Sequence, residues 1–214
     1  MKRYKLIFWD FDGVIKESIE VKTEAFRQLF KGQDPSFIDD ITEHHRTHGG
    51  MPRFNKIPLY LSWLGFTQDQ ETVDAYCSQY SDLVKQKVIE SAWVPGVKSY
   101  LFSNPFNQIF VLTSATPQQE MNEIASELNL TDKFKSIYGA PTSKDQAIRI
   151  ELTVHPELAE FSVMIGDSPQ DKAAARKTGI DFIARRHSQN DDLFDADTDI
   201  IVSDFNDQVP DRTD

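Results

Sequence analysis

Six short apolar runs punctuate the chain, at residues 4–9, 108–112, 134–138, 161–165, 180–183 and 199–202. Each is of strand length and nearly continuous rather than alternating, the pattern of a strand buried on both faces in a parallel sheet. Between several of them the apolar spacing becomes that of a helix, over residues 117–130, 144–152 and 169–178. Strand and helix alternating at this interval predict an α/β fold, a doubly wound parallel sheet forming a Rossmann-like core. Residues 19–92 break the rhythm. They hold helical windows at 21–30, 39–48 and 70–90 with no buried strand among them. An inserted α-helical cap domain is therefore expected over residues 18–92, with residues 1–17 and 93–214 forming the core. Trp93-Val94-Pro95-Gly96-Val97 punctuates the return to the sheet.

Length agrees with this division, since 214 residues leave room for one full core and a smaller insertion. The net charge of −11 repels a polyphosphate backbone, which argues against nucleic acid as a partner. No apolar run approaches the length of a membrane span. The single cysteine, Cys77, cannot form an internal disulfide, and the amino terminus passes from Met1-Lys2-Arg3 to Asp10 without the pattern of a signal peptide. A cytoplasmic location is expected. Nine aspartates between residues 191 and 214 read as a solvated acidic edge. Oligomeric state is not legible.

Chemistry gathers at the carboxyl ends of the apolar runs, where open α/β sheets place their ligand crevice. Asp10-Phe11-Asp12-Gly13 ends the first run. Two carboxylates so close repel each other unless a cation or a proton shares the site, although a strand-ending Asx turn would also use these residues. Leu112-Thr113-Ser114-Ala115-Thr116-Pro117 puts hydroxyls just before a helix, whose free N–H groups favour an anion. Lys144 follows the loop after the third run, and Gly166-Asp167-Ser168-Pro169-Gln170-Asp171 adds two carboxylates after the fourth. Each alone is commonplace, as a helix cap or a surface charge. Together, four strand ends deliver the groups that metal-assisted phosphoryl transfer needs.

With these motifs in this order, over about 160 residues, the sequence resembles the haloacid dehalogenase-like hydrolase superfamily. That superfamily carries Asp-x-Asp, then a Ser or Thr, a Lys and an acidic pair, with a helical cap inserted after the first motif. The resemblance implies Asp10 as the nucleophile that becomes an aspartyl-phosphate. It implies Asp12 as general acid and then base. Ser114 and Lys144, with the Ala115 N–H and neighbouring Thr116, would hold the phosphoryl oxygens, although Thr113 in place of Ser114 remains open as the second-motif hydroxyl. A Mg²⁺ ion is implied on Asp10, the carbonyl of Asp12 and Asp167, with Asp171 orienting either Lys144 or a metal-bound water. The acid at position 12 separates phosphatases and phosphomutases from dehalogenases, which lack it.

Two features of the expected cap bear on the substrate. Residues 44–53 read His-His-Arg-Thr-His-Gly-Gly-Met-Pro-Arg. Zinc is not indicated, because no carboxylate or thiol lies at a ligand spacing, while a glycine turn ending a helix would account for part of the pattern. The stretch looks like the substrate-contacting cap loop of β-phosphoglucomutase-like members, so Gly50 and Arg53 would correspond to its glycine and arginine. Pro52 departs from the serine found there. Lys22 falls where those mutases carry a histidine that helps control the acid, and a permanent cation suits the grip of an anion better than proton gating. The expected activity is therefore a Mg²⁺-dependent phosphatase acting on a small phosphorylated metabolite. A β-phosphoglucomutase-like phosphomutase is the alternative. A phospho-accepting signalling switch is a more distant one, disfavoured because receivers phosphorylate an aspartate on a later strand and lack a large cap.

Overall fold

The computed structural model describes residues 1–190, 192–194 and 200–206, so most of the acidic segment after residue 190 lies outside the described residues. Six parallel strands form one sheet: β1 (Leu6–Asp10), β2 (Ile109–Pro117), β3 (Ser136–Ala140), β4 (Ser162–Gly166), β5 (Asp181–Arg185) and β6 (Ile200–Val202). Their spatial order is β3-β2-β1-β4-β5-β6, which puts β1 at the centre. Leu6, Ile7, Phe8 and Trp9 are all fully buried, and the two-residue period of a strand explains why the run needs no polar face. Ile7 and Trp9 join one hydrophobic cluster, while Leu6 and Phe8 join a second on the opposite side.

Helices cover both faces. Leu101 of α5 (Val97–Ser103) and Ile124 of α6 (Gln118–Glu127) pack into the Trp9 cluster. Ile148 of α7 (Lys144–Val154) and Ala174 of α8 (Pro169–Thr178) pack into the Phe8 cluster. The doubly wound parallel fold is thus as expected.

Between β1 and α5 lie four helices, α1 (Ile19–Leu29), α2 (Pro35–Thr47), α3 (Arg53–Trp63) and α4 (Gln70–Glu90). Phe26 of α1 touches Tyr60 of α3 edge-on at 5.4 Å and Tyr80 of α4 at 4.3 Å between ring centroids, so aromatic packing holds this insert together. α3 has no counterpart among the expected helices, because Pro58 sits inside it and its aromatic residues blur the apolar period. α2 begins at Pro35, four residues before its expected start, with Asp34 accepting from the Ser36 N–H as its cap. β2 runs on to Pro117, beyond the expected strand end at Leu112.

The two strands of chain that join the insert to the core run side by side. Glu17 N–H donates to the Ala92 carbonyl at 2.9 Å and Val94 N–H to the Ile15 carbonyl at 3.0 Å, and Lys16 pairs with Trp93 in an antiparallel bridge. Among the described residues, no helix is long and apolar enough to cross a membrane.

Candidate active site

The strand order reverses direction at β1, with β2 and β4 leaving to opposite sides. A crevice opens at the carboxyl ends of the strands at such a switch point. Asp10 pairs in register with Thr113 on β2, while Trp9 pairs with Ile165 on β4, so β1 ends level with β4 while β2 runs past both to Pro117. One cavity there, of about 50 Å³, is lined by Asp10, Asp12, Lys22, Ala115, Lys144, Asp167 and His187. A second, of about 350 Å³, shares Gly50, Ala115 and Lys144 with it and is also lined by Ser114, Phe54 and Asn55.

Asp10, Asp167 and Asp171 each bring a carboxylate oxygen within 4.8 Å of the others. Burial, and then the charge of Asp171, hold Asp10 well above the usual carboxylate range, and Asp167 is pushed up to about 7 by the same two causes in the same order. Lys144 offsets part of this repulsion. Its ammonium contacts Asp10 Oδ1 at 2.8 Å and also Asp171 Oδ1. Burial alone would lower Lys144, but these two carboxylates outweigh it and hold the group above its ordinary value, firmly cationic.

Asp171 is fully buried and faces inward. Its Oδ2 accepts from the Ser168 N–H at 3.1 Å and the Ser168 hydroxyl at 2.6 Å, closing a capping box at the start of α8. Lys144 meets its other oxygen. Close approach is built into the backbone as well. Gly13 takes φ 74°, and a Cβ there would lie 2.3 Å from Asp167 Oδ2.

Asp12 is held at both oxygens. Ser18 donates its hydroxyl to Oδ1 at 2.6 Å, and Lys22 contacts Oδ2 and also donates to Thr116 Oγ1 at 2.9 Å. Lys22 therefore meets Asp12 directly, where a grip on substrate was expected. Thr113 turns its hydroxyl toward the Trp9 carbonyl and Met164, away from the crevice, whereas Ser114 lines the second cavity beside Lys144. Ser114 Oγ also accepts from the Thr116 N–H at 3.1 Å.

Gly50 reaches the crevice, close against Gln170. Arg53 is not brought to the carboxylates. Its guanidinium forks onto Glu120 of α6, with Nη1 3.0 Å from Oε2, and donates to Ser81 at 2.6 Å. The plane lies over the Tyr80 ring at 4.5 Å. A buried acid on α6 claims the fork before any ligand can.

Four contributors were not expected from the sequence. Ser18 positions Asp12, as described above. His187 Nε2 meets Asp167 Oδ2 at 3.0 Å, and Asn190 donates to the Asp167 carbonyl at 2.8 Å. Both follow the end of β5, so the strand-end rule used for the other motifs would have found them. Glu120, which answers Arg53, sits in the first turn of a helix like any exposed acid and carried no signal.

Comparison with known proteins agrees with this geometry. No curated protein matches the chain. Among solved structures, a haloacid dehalogenase-like family hydrolase from Streptococcus pneumoniae is 24% identical, with a TM-score of 0.63 over 87% of this chain and 86% of that one. CbbY from Rhodobacter sphaeroides in complex with phosphate is 16% identical, with a TM-score of 0.73 over 94% and 95%. A β-phosphoglucomutase from Clostridium difficile is 17% identical, with a TM-score of 0.72 over 95% and 92%. At these identities the likeness is one of fold. Residues 7–185 match the family model described as haloacid dehalogenase-like hydrolase, a span that runs from β1 through β5 and takes in the whole carboxylate cluster. The chain belongs to the haloacid dehalogenase-like hydrolases.

Proposed function

We propose that this hydrolase is a Mg²⁺-dependent phosphatase that removes phosphate from a small phosphorylated metabolite by way of an aspartyl-phosphate on Asp10. The observation that carries the reading is Lys144 bridging Asp10 and Asp171 at the floor of a crevice that also holds Asp12 and Asp167. A buried carboxylate cluster of this kind is stable only with cations, and its all-oxygen donors fit a hard divalent ion. Asp10, Asp167 and the carbonyl of Asp12 would hold Mg²⁺. When bound, the ion supplies charge that neutralises the phosphoryl oxygens.

The chain's own residues then divide the reaction. An Asp10 oxygen attacks phosphorus as the bond to the leaving oxygen breaks, and Asp12 gives that oxygen its proton. Asp12 next takes a proton from water, whose oxygen attacks phosphorus. The bond to Asp10 breaks, releasing phosphate and restoring the carboxylate. Lys144 and Ser114 hold the phosphoryl oxygens through both steps, with the Ala115 N–H beside them. Helices α1–α4 serve as the cap, excluding water from the intermediate until the leaving group has gone.

Lys22 favours hydrolysis over mutase action, since the gating histidine of the mutases is replaced by a cation in direct contact with Asp12. The test is phosphate release with Mg²⁺ across a panel of phosphorylated sugars, acids and nucleotides, with isomerised products followed in parallel. Isomerisation without phosphate release would replace this reading with a phosphomutase.

A further inference from the structure

Among the described residues, no acid touches one cation that the insert buries. Lys56, on α3, is 1% exposed. Among the described residues its ammonium has one polar partner, His45 Nδ1 at 2.7 Å, and it lies 5.9 Å from the centre of the Phe26 ring. His45 is itself buried, and burial, with the Lys56 charge next, keeps it well below the usual histidine range, so it accepts from Lys56 as a neutral ring. An ammonium has three donors, and one is used. The neighbouring cations differ: Lys22 is paired with Asp12, and Arg53 with Glu120.

A buried charge without a counter-ion costs several kcal/mol, and either loses its proton or marks where an anion comes to rest. Burial, with the Lys22 charge next, lowers Lys56 to about 7, so the ammonium is still available near neutrality and an arriving anion would hold it there. The surroundings supply the route. Lys56, His45, Lys22 and Arg53 line a small cavity of about 20 Å³. Lys22, His45, Gly49 and Ala115 also line the cavity that holds Asp10 and Asp12, so the two meet along one wall. At this size it admits little more than one oxygen-sized atom, which is what the edge of a carboxylate or phosphate presents.

We propose that Lys56, seated on His45, is a specificity-determining cation that receives a second oxyanion carried by the leaving group, so that the site selects phosphate monoesters bearing a further carboxylate or phosphate. The inference rests on the phosphatase reading for what the neighbouring cavity does.

Three two-carbon probes separate the possibilities: 2-hydroxyethyl phosphate, 2-phosphoglycolate and ethylene glycol bisphosphate, whose second ends are neutral, carboxylate and phosphate. Binding to the Asp10→Asn protein with Mg²⁺ is measured by calorimetry, with and without Lys56→Met. One or both charged probes should bind about tenfold tighter than the neutral one, and Lys56→Met should bring that ratio close to one. The probe that shows the preference identifies the oxyanion. No preference in the protein that keeps Lys56, which needs no second variant to fold, overturns the proposal, and so does a preference that survives Lys56→Met. Phosphate release by the wild-type protein is recorded on the same probes. Release without any charge preference fails the Lys56 assignment alone, whereas the preference without release from any probe counts against the phosphatase reading and leaves the anion site standing.

Discussion

Replacing Arg53 with methionine should loosen the insert from the core. Arg53 and Glu120 have side chains 5% and 8% exposed, and the guanidinium meets both carboxylate oxygens while also donating to Ser81. Such a pair contributes little against well-packed apolar residues, because desolvation consumes most of its Coulomb energy. Removing one partner is another matter. Glu120 would be left as a buried carboxylate with the Ser81 hydroxyl on it but no cation, a loss of about 3–5 kcal/mol. Its place in the first turn of α6 gives back up to about 1 kcal/mol from the helix dipole, while the lost contact with Tyr80 adds a comparable amount. The two corrections cancel, so the net expectation stays at about 3–5 kcal/mol. For a chain of 214 residues that corresponds to a fall in Tm of about 6–20 °C. The double variant Arg53→Met with Glu120→Leu should recover most of it, since no buried charge is then orphaned. Urea denaturation and calorimetry on the four proteins of the cycle give the coupling. A single variant within about 0.5 kcal/mol of wild type, accompanied by a collapse of kcat/KM, would show instead that Arg53 serves the substrate and that its fork on Glu120 is incidental.

Other expectations address the carboxylate cluster. Asp10→Asn should lower kcat by about four orders of magnitude while leaving a folded protein, checked by phosphate release alongside circular dichroism; wild-type release would end the nucleophile assignment. Because the raised Asp167 binds its proton up to about pH 7, its contribution to stability is fully present below the ordinary carboxylate range and is lost as pH rises through 7. Metal binding must displace such protons, so the rise in Tm on adding Mg²⁺ should be larger at about pH 8 than at about pH 6, and EDTA should abolish it; a shift independent of pH would contradict the assignment. His187→Ala should weaken Mg²⁺ affinity by about 10–100-fold through Asp167, read from metal titration of activity, with unchanged affinity showing that the 3.0 Å contact does not orient that ligand.

The centre of the sheet was legible because β1 is buried on both faces and therefore apolar without a break from Leu6 to Trp9, and the shorter runs of the outer strands repeat the signal in weaker form. The crevice was legible because parallel strands deliver their last polar residues to one edge, and Asp10, Ser114, Lys144 and Asp167 all lie there. What escaped was pairing between side chains distant in sequence. Nothing near Arg53 announces Glu120, 67 residues on, and nothing near Lys22 says that its ammonium belongs to Asp12 rather than to a ligand. α3 escaped for a local reason, since Pro58 in a helix is tolerated only where tertiary packing compensates for the lost N–H, and Tyr60 and Leu61 supply that packing.

The side-by-side linkers carry a mechanical consequence. Asp12 bridges to Lys16, Lys16 bridges to Trp93, and the two groups that fix the Asp12 carboxylate, Ser18 and Lys22, sit at the start of the insert rather than in the core. In the proposed mechanism the acid is thus geared to the helices above it. A tilt of the insert about the paired linkers would move the anchors of Asp12 as well, while Asp10, fixed in the central strand, would stay where it is. Proton donor and nucleophile would then come into alignment only at one setting of that joint. An enzyme so built would be interlocked like a press whose trigger is mounted on the guard, its acid in place only when the guard is seated.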